Sequence, residues 1–148
     1  MSASLVQGAA SGAVGTLALG GFALLRNAVL GHAPPYAARL ITSRFLGRVL
    51  HRPVRPRLAL AGSLGLRMTY GPLLGLAWVR LRAALPTSRL TRGVLLGVGV
   101  WALELLTFPM LRATPPPHTW TRAEHAFLLA QALLFGFATE RCLAALER

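Results

Sequence analysis

The stretch 93-GVLLGVGVWALELLTFPML-111 carries a single charged side chain, Glu104, in an otherwise apolar run. A helix that crosses a bilayer needs about 20 mainly apolar residues, so this run reads as a transmembrane helix with one carboxylate just past its centre. Residues 5–25, 58–79 and 123–145 read the same way, the last being the most polar. The expected fold is an all-α membrane protein: a four-transmembrane-helix bundle forming one integral membrane domain over residues 1–148.

Composition agrees. Hydrophobic residues make up 54% of the 148, charged residues only 14%, and the mean hydropathy is +0.54, whereas soluble domains carry about 25% charged residues. All 16 basic residues are arginine, against 4 acidic ones, a net charge of +12. In a soluble chain that charge would point to nucleic acid. Here the arginines collect between apolar runs, where they can face lipid phosphates. The expected partners are the bilayer and its anionic headgroups, with a homo-oligomer or a membrane-protein partner left open, and no nucleic acid. The absence of lysine beside abundant Ala, Leu and Gly also fits a GC-rich coding bias, so arginine by itself needs no functional explanation. The lone Cys142 offers no internal disulfide. The apolar run before Gly31-His32-Ala33 lacks a basic leader and is followed by Pro34, which argues against signal cleavage.

Pro34-Pro35 open the long connection between the first two runs, and Pro53 and Pro56 close it. Residues 36–52 within it are amphipathic. Phe45, Leu46, Val49 and Leu50 fall on one side of a helical wheel and Arg44, Arg48 and Arg52 on the other. This segment reads either as a short interfacial helix whose three arginines contact lipid headgroups or as a helix laid across the end of the bundle. The remaining connections are short, one carrying four arginines around Pro86 and the other stiffened by Pro115-Pro116-Pro117. Seven arginines from Arg26 to Arg57, with Arg112 and Arg122, make nine on one side of the membrane; Arg80, Arg82, Arg89, Arg92, Arg141 and Arg148 make six on the other. The positive-inside rule then puts both termini outside.

Gly8 and Gly12, Gly71 and Gly75, and Gly93 and Gly97 each lie four residues apart, the spacing that lets helices approach closely. Packing within one subunit explains them without an oligomer. Gly8/Gly12 correspond to Gly93/Gly97, and Tyr70-Gly71 to Phe135-Gly136, a pattern that suits a duplicated helical hairpin. Arg67 and Glu104 stand at similar depth on antiparallel helices. Because unpaired charge at that depth costs several kcal/mol, they are expected to form an intramembrane ion pair, either joining two helices or serving a proton or substrate path.

Glu124 reads as a helix N-terminal cap. Trp78 and Trp120 read as members of an aromatic belt, and Trp101 as packing. His32, His51, His118 and His125 lack the i, i+4 spacing of a helical metal site, and neither a nucleophile elbow nor a phosphate loop occurs. No catalytic residue, metal or cofactor is expected. The glycine-spaced first helix (Gly8, Gly12), the Pro34-Pro35 connection and the aromatic-Gly-x-x-x-Gly second helix (Tyr70, Gly71, Gly75) resemble the small inner-membrane proteins of bacteria grouped with the YagU type. That resemblance implies a bacterial cytoplasmic membrane and no assigned activity. The functional expectation is a structural or accessory membrane component; the alternative is a small oligomeric transporter or channel-like protein that uses Arg67 and Glu104.

Overall fold

The computed structural model describes residues 4–85 and 88–148, so Pro86 lies outside the described residues. Five helices run in chain order: α1 Leu5–Leu30, α2 Ala38–Leu50, α3 Pro56–Arg82, α4 Arg89–Met110 and α5 Arg122–Leu146. Local chemistry sets their ends. Ser4 and Gln7 form a reciprocal capping box at the start of α1, and Thr121 and Glu124 form another at the start of α5. Ser88 accepts from the Thr91 N–H at 3.2 Å to cap α4, and Pro56 occupies the first turn of α3, where its missing N–H costs nothing.

Two boundaries differ from the sequence reading. α1 does not stop at Leu25 but continues through Arg26 to Leu30, because the first residue able to end it is Gly31, at φ 70°. α2 is shorter than 36–52. It closes at His51, in the left-handed region at φ 51°, and leaves Tyr36 and Ala37 in the connection.

The number of apolar spans also needs correction. Three helices, α1, α4 and α5, are long and apolar enough to cross a membrane, not four. The segment expected at 58–79 is helical and long, but Ser63, Arg67, Thr69, Tyr70 and Pro72 dilute its apolar character.

Small residues hold the helices together. A Cβ on Gly8 would lie 2.8 Å from the Gly75 carbonyl oxygen, and one on Gly12 would lie 2.8 Å from the Gly71 carbonyl carbon. α1 and α3 therefore run antiparallel with their backbones in contact. α4 and α5 meet in the same way, with Gly97 against the Leu133 Cα, where an added Cβ would sit at 2.7 Å, and Gly136 against the Gly97 nitrogen at 2.6 Å. α1 also packs antiparallel on α5, with Gly15 against Phe135. These close approaches leave no room for a side chain, which is why glycine stands there.

The resulting up-down-up-down bundle has two hydrophobic clusters. One, around Trp78, Leu96, Val100, Phe135 and Leu143, lies toward the end that carries both termini. The other, around Tyr36, Ile41, Trp120 and Leu128, lies beneath the long connections. Outside, Leu17, Leu24, Val29, Leu60, Leu64, Leu73 and Leu106 are all more than half exposed. Continuous apolar surface of this kind is foreign to soluble monomers and suits a lipid-facing protein. Hydroxyls in the helices bond back to their own turn, as Thr16 does to the Gly12 carbonyl at 3.0 Å and Ser63 to that of Leu60 at 2.7 Å. These two donors are thereby satisfied without water.

Candidate functional site

Because α1 runs on past Leu25, Arg26 faces inward and is only 2% exposed. Its Nη1 donates to Gln131 Oε1 on α5 at 2.7 Å, its Nη2 to Asn27 Oδ1 at 3.1 Å, and its guanidinium carbon stands 5.4 Å from the centre of the Tyr36 ring. Tyr36 donates its hydroxyl to the Glu124 carbonyl at 2.7 Å. Burial pushes that phenol up to about 12, so it remains a neutral donor throughout the physiological range. Tyr36 and the Thr121–Glu124 cap together lock the start of α5, and with it the height of Gln131.

Around Arg26 opens a cavity of about 90 Å³. Its polar walls are Arg67 and Tyr70 from α3, Glu104 from α4 and Gln131 from α5; Leu19 and Phe135 supply apolar ones. A site needs roughly 10–15 Å³ per water, so this one has room for several waters or for a small charged group. With 1.5 Å of rise per residue, Glu104 lies roughly 9 Å in from the end of α4 and Gln131 roughly 14 Å in from the start of α5. The cavity is therefore deep in the bundle rather than at its rim.

Arg67 and Glu104 share this cavity, yet the close ion pairs among the described residues do not include them. Glu104 Oε2 and the Tyr70 hydroxyl are buried with no hydrogen-bond partner, and Arg67 makes no hydrogen bond among the described residues. The expected salt bridge is thus replaced by two guanidiniums and one carboxylate set around a space. The reason is geometric: α3 and α4 are not among the closely packed helix pairs, which are α1–α3, α1–α5, α4–α5 and α2–α3.

A second charged cluster, which sequence reasoning missed, joins α3, α4 and α5 at the end bearing the termini. Glu140, 3% exposed, accepts from the Trp78 indole N–H at 2.8 Å and faces Arg92 Nε at 3.2 Å and Arg82 Nη2 at 3.6 Å. Arg82 also donates to Glu147 at 3.0 Å. Trp78 is consequently a buried donor to a carboxylate and not part of an interfacial belt. Trp120 is likewise buried, its ring centre 5.3 Å from that of Tyr36 at a tilt of 48°, and donates to the Pro115 carbonyl at 3.2 Å. Arg82 and Arg92, counted above as flanking charges, are ion-paired within the protein.

On α2, Arg48 donates to the carbonyls of Leu111 at 2.6 Å and Arg112 at 2.9 Å, and Arg44 to that of Ala113 at 3.2 Å. Two of the three arginines in the stripe therefore tie α2 to the C-terminal end of α4, where free carbonyls and the helix dipole favour a cation. Arg52 is exposed. Besides Arg67 and Glu104, one further signal for the cavity was present in the sequence: Gln131, a polar residue inside an apolar run. Arg26 and Tyr36 gave none, because their roles depend on where α1 ends and how the connection folds back. No family model matches the chain, and no curated protein or solved structure matches it either, so the functional assignment rests on these residues alone.

Proposed function

We propose that this chain is a multi-pass protein of a bacterial cytoplasmic membrane whose central cavity binds a small anionic solute at membrane depth. The observation that carries the reading is the unpaired Arg67 facing Glu104, Tyr70 and the Arg26–Gln131 pair across an open space. Charged side chains inside membrane bundles mark binding sites and pathways far more often than decoration. Two guanidiniums against one carboxylate give the cavity a net charge of +1, which an anion would neutralise. A purely structural or accessory component calls instead for a closed interior with Arg67 and Glu104 paired.

Four spans belong to this reading, because α3 packs along α1 from Gly8 to Gly20 and buries Ser63 while Arg67 and Tyr70 line the cavity. α2 then rests at the membrane surface, with Phe45 and Val49 exposed beside its arginines. The matching crossings Gly12–Gly71 and Gly97–Gly136 support a duplicated hairpin. Removing Arg26 from the connection leaves eight arginines against six, so the connection side still faces the cytoplasm and both termini lie outside.

Leu17 and Leu19 provide the test. They are two residues apart at nearly the same depth; Leu17 is 65% exposed on the outer face, and Leu19 lines the cavity. In a Cys142→Ala background reconstituted in liposomes, Leu19→Cys should react with a charged, water-soluble thiol reagent and Leu17→Cys should not. Equal protection of both would make the interior dry and sink the proposal; equal reactivity would place α1 outside lipid altogether.

A further inference from the structure

The polar cavity does not end at Arg67. A second cavity, of about 510 Å³, lies between α2, α3 and α4, and four residues, Ile41, Leu66, Tyr70 and Phe108, line both. The remaining walls of this second space are almost wholly apolar, among them Phe45, Leu46, Leu103 and Leu111. Its volume falls within the roughly 300–1,000 Å³ range of ligand pockets. It exists because α3 and α4 are not closely packed, and α2 roofs only one end of the gap. Phe45, Leu66, Leu103 and Leu111 are each more than a third exposed on the apolar outer surface, so the groove opens sideways, toward the hydrocarbon of a bilayer.

A charged chamber that shares Ile41, Leu66, Tyr70 and Phe108 with an apolar, laterally open groove suits one kind of molecule: a single acyl chain ending in an anionic head. We infer that the paired cavities bind a free long-chain fatty acid, with its carboxylate at Arg67 and Tyr70 and its chain in the groove. Tyr70, whose buried hydroxyl has no partner, lines both cavities, and Arg67 lines the head chamber beside it. A guanidinium with a neighbouring hydroxyl is a fitting pair of donors for a carboxylate. The head chamber, at about 90 Å³, accommodates a carboxylate with a few waters, whereas a glycerophosphate would have to displace the Arg26–Gln131 bond. The apolar groove supplies what a small water-soluble anion could not use. The inference rests on the solute-binding reading of the cavity and adds the identity of the solute and its route of entry from the lipid side.

The experiment uses the full chain, purified and delipidated in a non-ionic detergent, with binding of oleate, oleyl alcohol, butyrate and oleoyl lysophosphatidate followed by native mass spectrometry and ligand-induced thermal shift. Oleate should bind at least tenfold more tightly than oleyl alcohol, which has the same chain without charge, and than butyrate, which has the head without the chain. Arg67→Gln should abolish the preference for oleate over the alcohol. Leu103→Trp, which fills the groove without touching the head chamber, should weaken oleate at least tenfold. Tyr70→Phe, a milder change, serves if Arg67→Gln does not fold. Equal affinity for oleate and oleyl alcohol, or an unchanged preference in a folded Arg67 or Tyr70 variant, overturns the inference, as does tighter binding of the lysophosphatidate. If Leu19→Cys is labelled while oleate fails to bind, the fatty-acid assignment falls and the solute cavity stands; if neither occurs, both fall.

Discussion

Glu140 makes the most exacting test of how this bundle is held together. Its carboxylate serves three partners: the Trp78 indole at 2.8 Å, Arg92 at 3.2 Å and Arg82 at 3.6 Å. Removing one member of a buried ion pair costs about 3–5 kcal/mol, because the opposite charge is left uncompensated. Glu140→Gln keeps a carbonyl to accept from Trp78, so its cost is confined to charge. Arg82 retains Glu147, and Arg92, with 19% of its side chain exposed, can turn partly to water, which places the expected loss near the lower limit, about 3 kcal/mol. At 1.4 kcal/mol per factor of ten, the folded-to-unfolded ratio should fall on the order of a hundredfold. Glu140→Ala also strands the indole N–H, adding about 1–3 kcal/mol. The sole cysteine, Cys142, half-buried on α5, reports unfolding directly through its reaction with a thiol-activated dye during denaturation in detergent. The order wild type, Glu140→Gln, Glu140→Ala is required. A Gln variant within about 1 kcal/mol of wild type, or indistinguishable from Ala, would refute the argument that an ionic cluster, and not merely packing, joins these three helices.

Two further tests use the same assay or its local counterpart. Gly97→Ala should cost about 1–3 kcal/mol by overpacking, since its Cβ would meet the Leu133 Cα at 2.7 Å and the Ala132 carbonyl at 2.9 Å, while Gly99→Ala, with nothing within 4 Å, should be neutral or slightly stabilising; equal effects would mean that α4 and α5 do not cross as described. Arg48→Gln should raise hydrogen exchange at the end of α4 and cost about 1 kcal/mol through the lost bonds to Leu111 and Arg112, whereas Arg52→Gln should leave exchange there unchanged.

The helices were legible because their signals are local. Apolar runs of membrane length, Pro56 at a start and Glu124 three residues after Thr121 each act within one or two turns. The glycine pairs announced close approach, and Gly12 against Gly71 shows it. The charged residues were harder to read, because a charge in a sequence does not disclose its partner. Arg26 resembled the start of a loop, yet Gln131, 105 residues away, allows it to remain in a helix. Glu140 drew no reading of its own, and only α3 and α4 bring Trp78, Arg82 and Arg92 around it. Arg67 and Glu104 line one cavity but are not in contact, since contact depends on whether α3 and α4 close on each other.

α3 has two unlike sides. Its outward residues, Leu58, Leu60, Leu64, Met68, Leu73 and Leu81, are exposed and apolar, while Ser63, Gly71, Gly75, Trp78 and Arg82 are buried. The first set makes an apolar outer face that Thr69 interrupts, whereas Arg67 and Tyr70 are only partly exposed and lower the average over the helix. Inserting an arginine at the centre of a helix costs about 2.5–3.5 kcal/mol, and here no ion pair with Glu104 offsets it. A segment chosen for stability alone would carry leucine at position 67. A guanidinium at a cavity wall, beside a phenol and a carboxylate oxygen that are buried without partners, breaks a local rule in the way functional sites do; on the solute-binding proposal, the anion supplies the missing contact.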